Sequence, residues 1–190
     1  MIALAKLGKV FNLPTVLTTS FSQGPNGPFI PEVASMYPAA PLIDRPGIIS
    51  SWDDPNFVAA IEKTRRKNLI MAGVTIDICL AFPAMQAVEA GYNVYGVVDA
   101  SGANEVTIRE NAVARMKDHG VTPINWTTVA AELLRNWTLP TGKDLGAARR
   151  HCGPPYTPPR SVHWPVLTFG TSVTELHRQC RATLAAMPAT

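Results

Sequence analysis

The hydrophobic and polar positions follow two alternating patterns over residues 1–137 of this chain. Some stretches repeat apolar residues every three or four positions, which is typical of amphipathic helices. Others are short continuous apolar runs, which are typical of strands buried in a parallel sheet. The first pattern predicts helices, and the second predicts strands. The helices are expected over 2–11, 54–66, 77–89, 105–119 and 127–137, and the strands over 14–19, 69–74, 92–98 and 121–125.

This alternation of strands and helices predicts an α/β fold. Strands that are joined through helices run parallel, so we expect a three-layer α/β/α architecture with a mostly parallel sheet. Residues typical of helix ends support the assignment, because Asp54–Pro55 is a characteristic helix start and Gly91 and Gly120 follow helix ends. A chain of 190 residues is long enough for one domain with a sizeable core.

Residues 20–54 interrupt the alternation with a long stretch rich in glycine and proline. Connections of this length are uncommon unless they have a function, and this one leaves the carboxyl end of a strand. We therefore expect it to cover a small-molecule pocket, with Phe21, Phe29 and Trp52 as candidate apolar walls. Arg45 is a candidate charged site residue within the same stretch, and an ordinary surface charge is the alternative.

The most informative stretch is 68–83, which reads NLIMAGVTIDICLAFP. Its first half is a predicted strand and its second half begins a predicted helix, so Cys79 lies in a first helical turn beyond the carboxyl end of a strand. Open parallel sheets bind ligands at this place, and the helix dipole there favours a thiolate. Free N–H groups of the turn could bind an oxyanion. The alternative is a small core residue. Asp99, which ends the next strand, is more typical of a cap than of a catalytic group.

Composition and charge narrow the possible functions. Charged residues make up 16% of the chain and the net charge is +3, which does not indicate a nucleic-acid-binding surface. No apolar run is long enough to cross a membrane, and the first residues lack the pattern of a signal peptide, so we expect a cytoplasmic protein. The three cysteines form neither a paired framework nor a zinc pattern, so we expect no metal and no other cofactor.

The character of the chain changes after Trp137, where proline and arginine become frequent. Proline at this density is incompatible with a regular helix or a central strand, so 138–165 are expected to be extended or disordered. One short helix is expected over 174–186. The sequence thus divides into a domain over 1–137 and a divergent, partly disordered tail over 138–190.

Four separated blocks carry a more specific signal. They read FNLPTVLTTSFSQGPNGPFIPE, RPGIISSWDDPNFV, AGVTIDICLAFPAMQAVEAGYNVYGVVDASG and INWTTVAAELLRNW. Together with the helix over 104–116, they resemble the isochorismatase-like cysteine hydrolases, and more closely the YcaC-type branch, over 1–137. The resemblance implies the isochorismatase-like hydrolase fold. It also implies a homo-oligomer that cleaves a C–N bond of a small amide- or imide-like substrate through a covalent intermediate.

The resemblance also implies roles for individual residues. Cys79 matches the nucleophile of a Cys/Asp/Lys-type triad, and Arg45 matches the basic residue, which can be arginine in the YcaC-type branch. Val74–Thr75 matches a non-proline cis peptide bond, whose bend would direct the backbone N–H groups of Thr75 and Cys79 at one oxyanion. The thiolate would attack the substrate carbon, and water would then release the thioester.

Two features depart from the family pattern. The family's catalytic Asp lies on a first strand, whereas this sequence starts at the following helix, so we expect an N-terminally incomplete fold with an unpaired sheet edge. Activity should be impaired, because loss of a general base costs roughly 10²–10⁴-fold in rate. The tail after Trp137 is the second departure. A non-catalytic oligomerising remnant of the fold and a redox-sensing thiol protein are the alternatives to an impaired hydrolase.

Overall fold

A computed structural model describes residues 1–24 and 26–150, with side chains up to residue 146. Its helices are α1 (Ile2–Val10), α2 (Pro31–Met36), α3 (Pro55–Lys63), α4 (Ala81–Glu89), α5 (Val106–Asp118), α6 (Trp126–Leu134) and α7 (Pro140–Arg150). Its strands are β1 (Leu17–Ser20), β2 (Leu42–Arg45), β3 (Asn68–Met71), β4 (Asn93–Val97) and β5 (Thr122–Ile124). Each helix and strand predicted up to Trp137 is present, with ends shifted by a few residues. Among the described residues, no helix has the length and apolarity needed to cross a membrane.

The strands are parallel, as predicted, but they form two sheets. β1 pairs with β2 in a two-stranded sheet, and β3, β4 and β5 form a three-stranded sheet in that order. β1 and β3 are not hydrogen-bonded to each other. Within the described residues, each of these two strands therefore has one edge without a strand partner.

Helices cover both faces of the three-stranded sheet, which confirms the α/β/α architecture. Alternate residues of a strand point to opposite faces. Ile70 and Ala72 accordingly pack with a cluster built from α1, α6 and α7, while Leu69 and Met71 pack with a cluster to which α3, α4 and α5 contribute. α1 and α3 therefore lie on opposite faces of β3. Both are connected along the chain to the two-stranded sheet, since α1 precedes β1 and α3 follows β2.

The predicted helix ends are confirmed by their hydrogen bonds and dihedral angles. The carboxylate of Asp54 accepts hydrogen bonds from the N–H groups of Asn56 and Phe57, at 2.8 and 3.4 Å, and so caps α3. Gly91 and Gly120 both have a φ of +83°, which a side chain would disfavour.

The segment 20–54 contains more regular structure than we expected. Both α2 and β2 lie within it, and Arg45 is the last residue of β2. The pattern did not reveal them because each is short: β2 has four residues, of which Leu42 and Ile43 are apolar, and α2 has six.

The expectation of an extended chain after residue 137 was wrong for 140–150, which form α7. Pro140 is the first residue of that helix, where the missing N–H has no intrahelical partner to lose. Leu145 is buried at 2% exposure and packs with Leu7 of α1 and Leu134 of α6. α7 is thus integrated in the core. The rest of the predicted tail, including the helix over 174–186, lies outside the described residues.

Replacing Leu145 by Ala tests whether α7 belongs to the domain. Removing this buried side chain should lower the free energy of unfolding by roughly 2–5 kcal/mol, because a cavity replaces its contacts. Lys143→Ala in the same helix is the control and should change stability by less than about 0.5 kcal/mol, because Lys143 is exposed. Urea unfolding measures both. Equal stability of the two variants would show that the domain ends before α7.

Candidate active site

Cys79 lies on a wide helical turn that joins β3 to α4. Residues Ile76–Leu80 form a π-helical turn, in which the Thr75 carbonyl accepts hydrogen bonds from the N–H groups of Cys79, at 2.8 Å, and Leu80, at 3.3 Å. The Cys79 side chain is half-buried and its thiol is free. The predicted helix is therefore present, but its first turn is π-helical, a feature that is frequent at functional sites.

Glycine at position 73 permits this turn to fold back onto the end of β3. A Cβ atom on Gly73 would lie 2.7 Å from both the backbone carbon and the carbonyl oxygen of Cys79. Because these are backbone atoms, a side chain here would have to displace the turn that carries the thiol. The close approach explains why the sequence has glycine at this point.

The loop after β4 holds the same turn from the other side. The Val74–Thr75 peptide bond is cis, as the resemblance implied. The N–H of Ile76 donates to the Gly102 carbonyl at 2.7 Å, and the N–H of Gly73 donates to the Ser101 hydroxyl at 3.2 Å. Ser101 in turn donates to the Val97 carbonyl at 2.8 Å, so its side chain links the end of β4 to the turn. Sequence reasoning did not identify Ser101.

Arg45 is buried, at 3% exposure, so the alternative of an ordinary surface charge is wrong. Its Nε donates to the Thr18 hydroxyl at 3.0 Å, and its Nη1 donates to the carbonyls of Ile48 and Ile49, at 2.6 and 2.5 Å. Thr18 was also missed, because in the sequence it is one of several polar residues in a short strand.

Arg45 and Cys79 are brought together by the two sheets. Burial lowers the pKa of the Arg45 guanidinium below its usual range, and the pull of negative charge at Cys79, Asp54 and Asp44 acts in the opposite direction. The Arg45 guanidinium, at the end of β2, contacts Thr18 on β1 and interacts electrostatically with Cys79 on the turn after β3. This places a cation and a thiol at the carboxyl ends of parallel strands, where ligands bind in such folds.

The neighbouring carboxylates are engaged elsewhere or lack a partner. Asp44 accepts hydrogen bonds from the backbone N–H and the hydroxyl of Ser22, which hold the pKa of this carboxyl below its usual value. Asp99 accepts from the N–H of Trp126 at 2.8 Å, which confirms that it is a cap, here at the start of α6. In the described chain, Asp77 Oδ1 is buried without a hydrogen-bond partner. None of these carboxylates hydrogen-bonds to Cys79.

The three aromatic residues predicted to line the pocket lie in different surroundings. Phe21 is 49% exposed and lies beside Arg45, because its N–H donates to the Arg45 carbonyl at 2.7 Å. Phe29 is half-buried in the stretch before α2. Trp52 packs edge-on against Phe57 and Tyr92, with ring centres 6.0 and 5.4 Å apart. Trp52 is thus part of an aromatic cluster in the core.

Other apolar side chains remain exposed around the site. Ile49 follows the end of β2, and Val74 and Ile78 flank the cysteine turn; their exposures are 60%, 57% and 39%. With Phe21, these residues form what we call the apolar rim. Exposed apolar residues that cluster on one surface are typical of binding or assembly surfaces.

Comparison with known proteins identifies the family. The Isochorismatase domain family matches residues 9–128. The chain belongs to the isochorismatase family. Its relatives include the probable hydrolase YcaC of Escherichia coli K12, which is 49% identical over 138 residues, covering 72% of this chain and 66% of YcaC. The isochorismatase domain-containing protein 2 of rat is 23% identical over 143 residues, covering 75% of this chain and 65% of that protein. The chain thus spans about two thirds of the length of these curated relatives.

Solved structures of this isochorismatase branch have the same fold. YcaC from Pseudomonas aeruginosa matches with a TM-score of 0.75 and 48% identity, over 77% of this chain and 72% of that one. The E. coli YcaC structure, described as an octameric hydrolase of unknown specificity, also has a TM-score of 0.75, with 44% identity over 78% of this chain and 74% of its own. The expected fold and the YcaC-type branch are confirmed.

Arg45→Met tests the electrostatic link between Arg45 and Cys79. Removing the cation should slow alkylation of Cys79 at pH 7 by about tenfold, because an anionic sulfur would lose its nearby positive charge. Arg109→Met, which removes an exposed charge from α5, is the control and should leave the rate unchanged. Alkylation is followed by peptide mass. A rate that is equal in both variants would show that the guanidinium does not act on the thiol.

Proposed function

We propose that this chain is a cysteine hydrolase that cleaves a C–N bond in a small amide- or imide-like substrate. The observation that carries the proposal is that the buried Arg45 guanidinium and the half-buried Cys79 both lie at the carboxyl ends of the strands, close enough for their charges to interact. The 49% identity to a probable hydrolase supports the reaction class. The exposed apolar rim favours a small apolar or aromatic substrate.

The reaction would proceed through a thioester. The Cys79 sulfur, as a thiolate, attacks the substrate carbon, and the electron pair of the C=X bond moves to its heteroatom. The electron pair then returns to re-form the C=X bond as the C–N bond breaks, and the leaving nitrogen takes a proton from a water molecule. The hydroxide left from that water attacks the thioester, which releases the acid and regenerates the Cys79 sulfur. Arg45 stabilises the anionic sulfur by its charge and remains protonated throughout.

Oxyanion binding at this site would require one hydrogen bond to change. The proposed donors are the N–H groups of Thr75 and Cys79, at the cis peptide bond between Val74 and Thr75. In the structure, the Cys79 N–H already donates to the Thr75 carbonyl at 2.8 Å. An oxyanion would therefore compete with that carbonyl for the donor, and a charged acceptor is the stronger one.

The described residues supply no carboxylate that is hydrogen-bonded to the thiol as a proton acceptor, whereas the resemblance implies a catalytic Asp. Absence of a positioned general base costs roughly 10²–10⁴-fold in rate. We therefore propose that this chain, taken alone, is an impaired hydrolase, and that it forms a homo-oligomer, as the octameric E. coli YcaC does.

The reactivity of Cys79 is the first test. The P. aeruginosa relative was solved with covalent acrylamide, so acrylamide and iodoacetamide are suitable probes. Cys79 should be labelled at least tenfold faster than Cys152 and Cys180 in the folded protein at pH 7. Labelling rates resolved by peptide mass measure this. Labelling of Cys79 that is no faster than labelling of the other two cysteines would favour a non-catalytic oligomeric protein.

Hydrolysis itself is tested with a panel of small primary amides and cyclic imides. Any turnover should be abolished in Cys79→Ser, because serine without a positioned base is a far weaker nucleophile. Ammonia release from the amides and ring opening of the imides are the measurements, with Arg109→Met as the folded control. Turnover that persists in Cys79→Ser would contradict the thioester mechanism.

A further inference from the structure

Asn26 lies in an exposed turn after β1, and the residue that follows it is Gly27. Such a pair can react with itself, because the Gly27 backbone nitrogen can attack the side-chain carbon Cγ of Asn26 and close a five-membered ring. Glycine favours this attack, since it has no Cβ atom to shield its nitrogen. The exposed loop residues Asn104 and Asn136 are followed by glutamate and tryptophan, so the nitrogen that follows them is shielded.

The surroundings of the Asn26–Gly27 pair leave room for this reaction. The Asn26 Nδ2 donates to the Ser20 carbonyl at 3.2 Å. The Gly27 N–H donates to the Gly24 carbonyl, also at 3.2 Å. Both distances are at the long end of the range for N–H···O hydrogen bonds, so both reacting groups are held weakly. Gly27 has a φ of +67°, and apart from its chain neighbours no described atom lies within 4 Å of the place that its Cβ would take.

The Asn26 side chain also fixes a loop that carries part of the apolar rim. Its bond to the Ser20 carbonyl joins the two ends of this loop, and Phe21 lies between them. Ser20 is paired with Arg45, so the base of the loop lies beside the candidate site. A carboxylate oxygen in place of Nδ2 could not donate, and it would face the Ser20 carbonyl as a second acceptor. Conversion of the Asn26 amide to a carboxylate would therefore destabilise the closed loop.

We propose that Asn26–Gly27 is a self-modifying site, at which loss of the Asn26 amide opens the loop that carries Phe21. The Gly27 nitrogen forms a bond to Asn26 Cγ while the Cγ–Nδ2 bond breaks. The Nδ2 amino group takes the proton of the Gly27 N–H and leaves as ammonia. Water then adds to one of the two carbonyl carbons of the succinimide, and the ring C–N bond at that carbon breaks. The product is aspartate or isoaspartate, each with one new negative charge.

Incubation of the purified protein at neutral and mildly alkaline pH tests the reaction. The peptide that contains Asn26 should gain the mass difference between asparagine and aspartate, and isoaspartate should form beside aspartate. Asn26 should react at least about tenfold faster than Asn104 and Asn136, which are the internal controls. The rate should rise with pH, because the attacking nitrogen has to lose its proton. Equal rates at the three asparagines would overturn the proposal.

The opening of the loop is tested with Asn26→Asp, which carries the charge of the product from the start. Chymotrypsin should cleave after the exposed Phe21 about two- to tenfold faster in this variant than in the wild type, because the loop is open more often. Asn104→Asp adds the same charge to another exposed loop and should leave this rate unchanged. Cleavage of Asn26→Asp at the wild-type rate would show that the loop does not open. Cys79→Ser should lose the Asn26 amide as fast as the wild type, so a failure of the hydrolase proposal does not affect this result.

Discussion

A guanidinium that is removed from water has to be surrounded by oxygen atoms, and the conformation of the chain after β2 follows from that requirement. Carbonyls of Ile48 and Ile49 turn back to meet the Arg45 side chain, and the Thr18 hydroxyl meets it from β1. Burying this cation therefore orders the loop that borders the site. It also fixes a positive charge within electrostatic reach of Cys79.

The thiol is positioned by backbone contacts, with few side chains involved. Gly73 lets the turn of Cys79 fold against the strand end, and the Gly102 carbonyl and Ser101 hydroxyl bind that turn from the loop after β4. Backbone geometry of this kind tolerates little displacement, so it would suit the nucleophile that we propose at Cys79.

The sequence predicted the helices and strands that have strong periodicity. It also predicted the residues whose role depends only on their neighbours in the chain. Asp54, Gly91 and Gly120 act at helix ends through their own backbone or side chain, so their roles are readable from neighbouring residues. For Arg45, the local sequence left an ordinary surface charge open, because its burial depends on Thr18, which is 27 residues away. α7 was missed because proline density was averaged over the tail, whereas what matters is that Pro140 occupies the first helical position.

The local sequence pattern could not predict that the strands divide into two sheets, because strand pairing joins residues that are distant in the chain. An unpaired edge is a template for another strand, and natural sheets usually protect it with charge or with a bulge. Here the edges of β1 and β3 have no further strand partner among the described residues, although α1 and α3 cover the two faces of β3. The arrangement of the two sheets and that of the site are linked. Arg45 ends β2 of one sheet, Cys79 follows β3 of the other, and the two residues interact where the strands end.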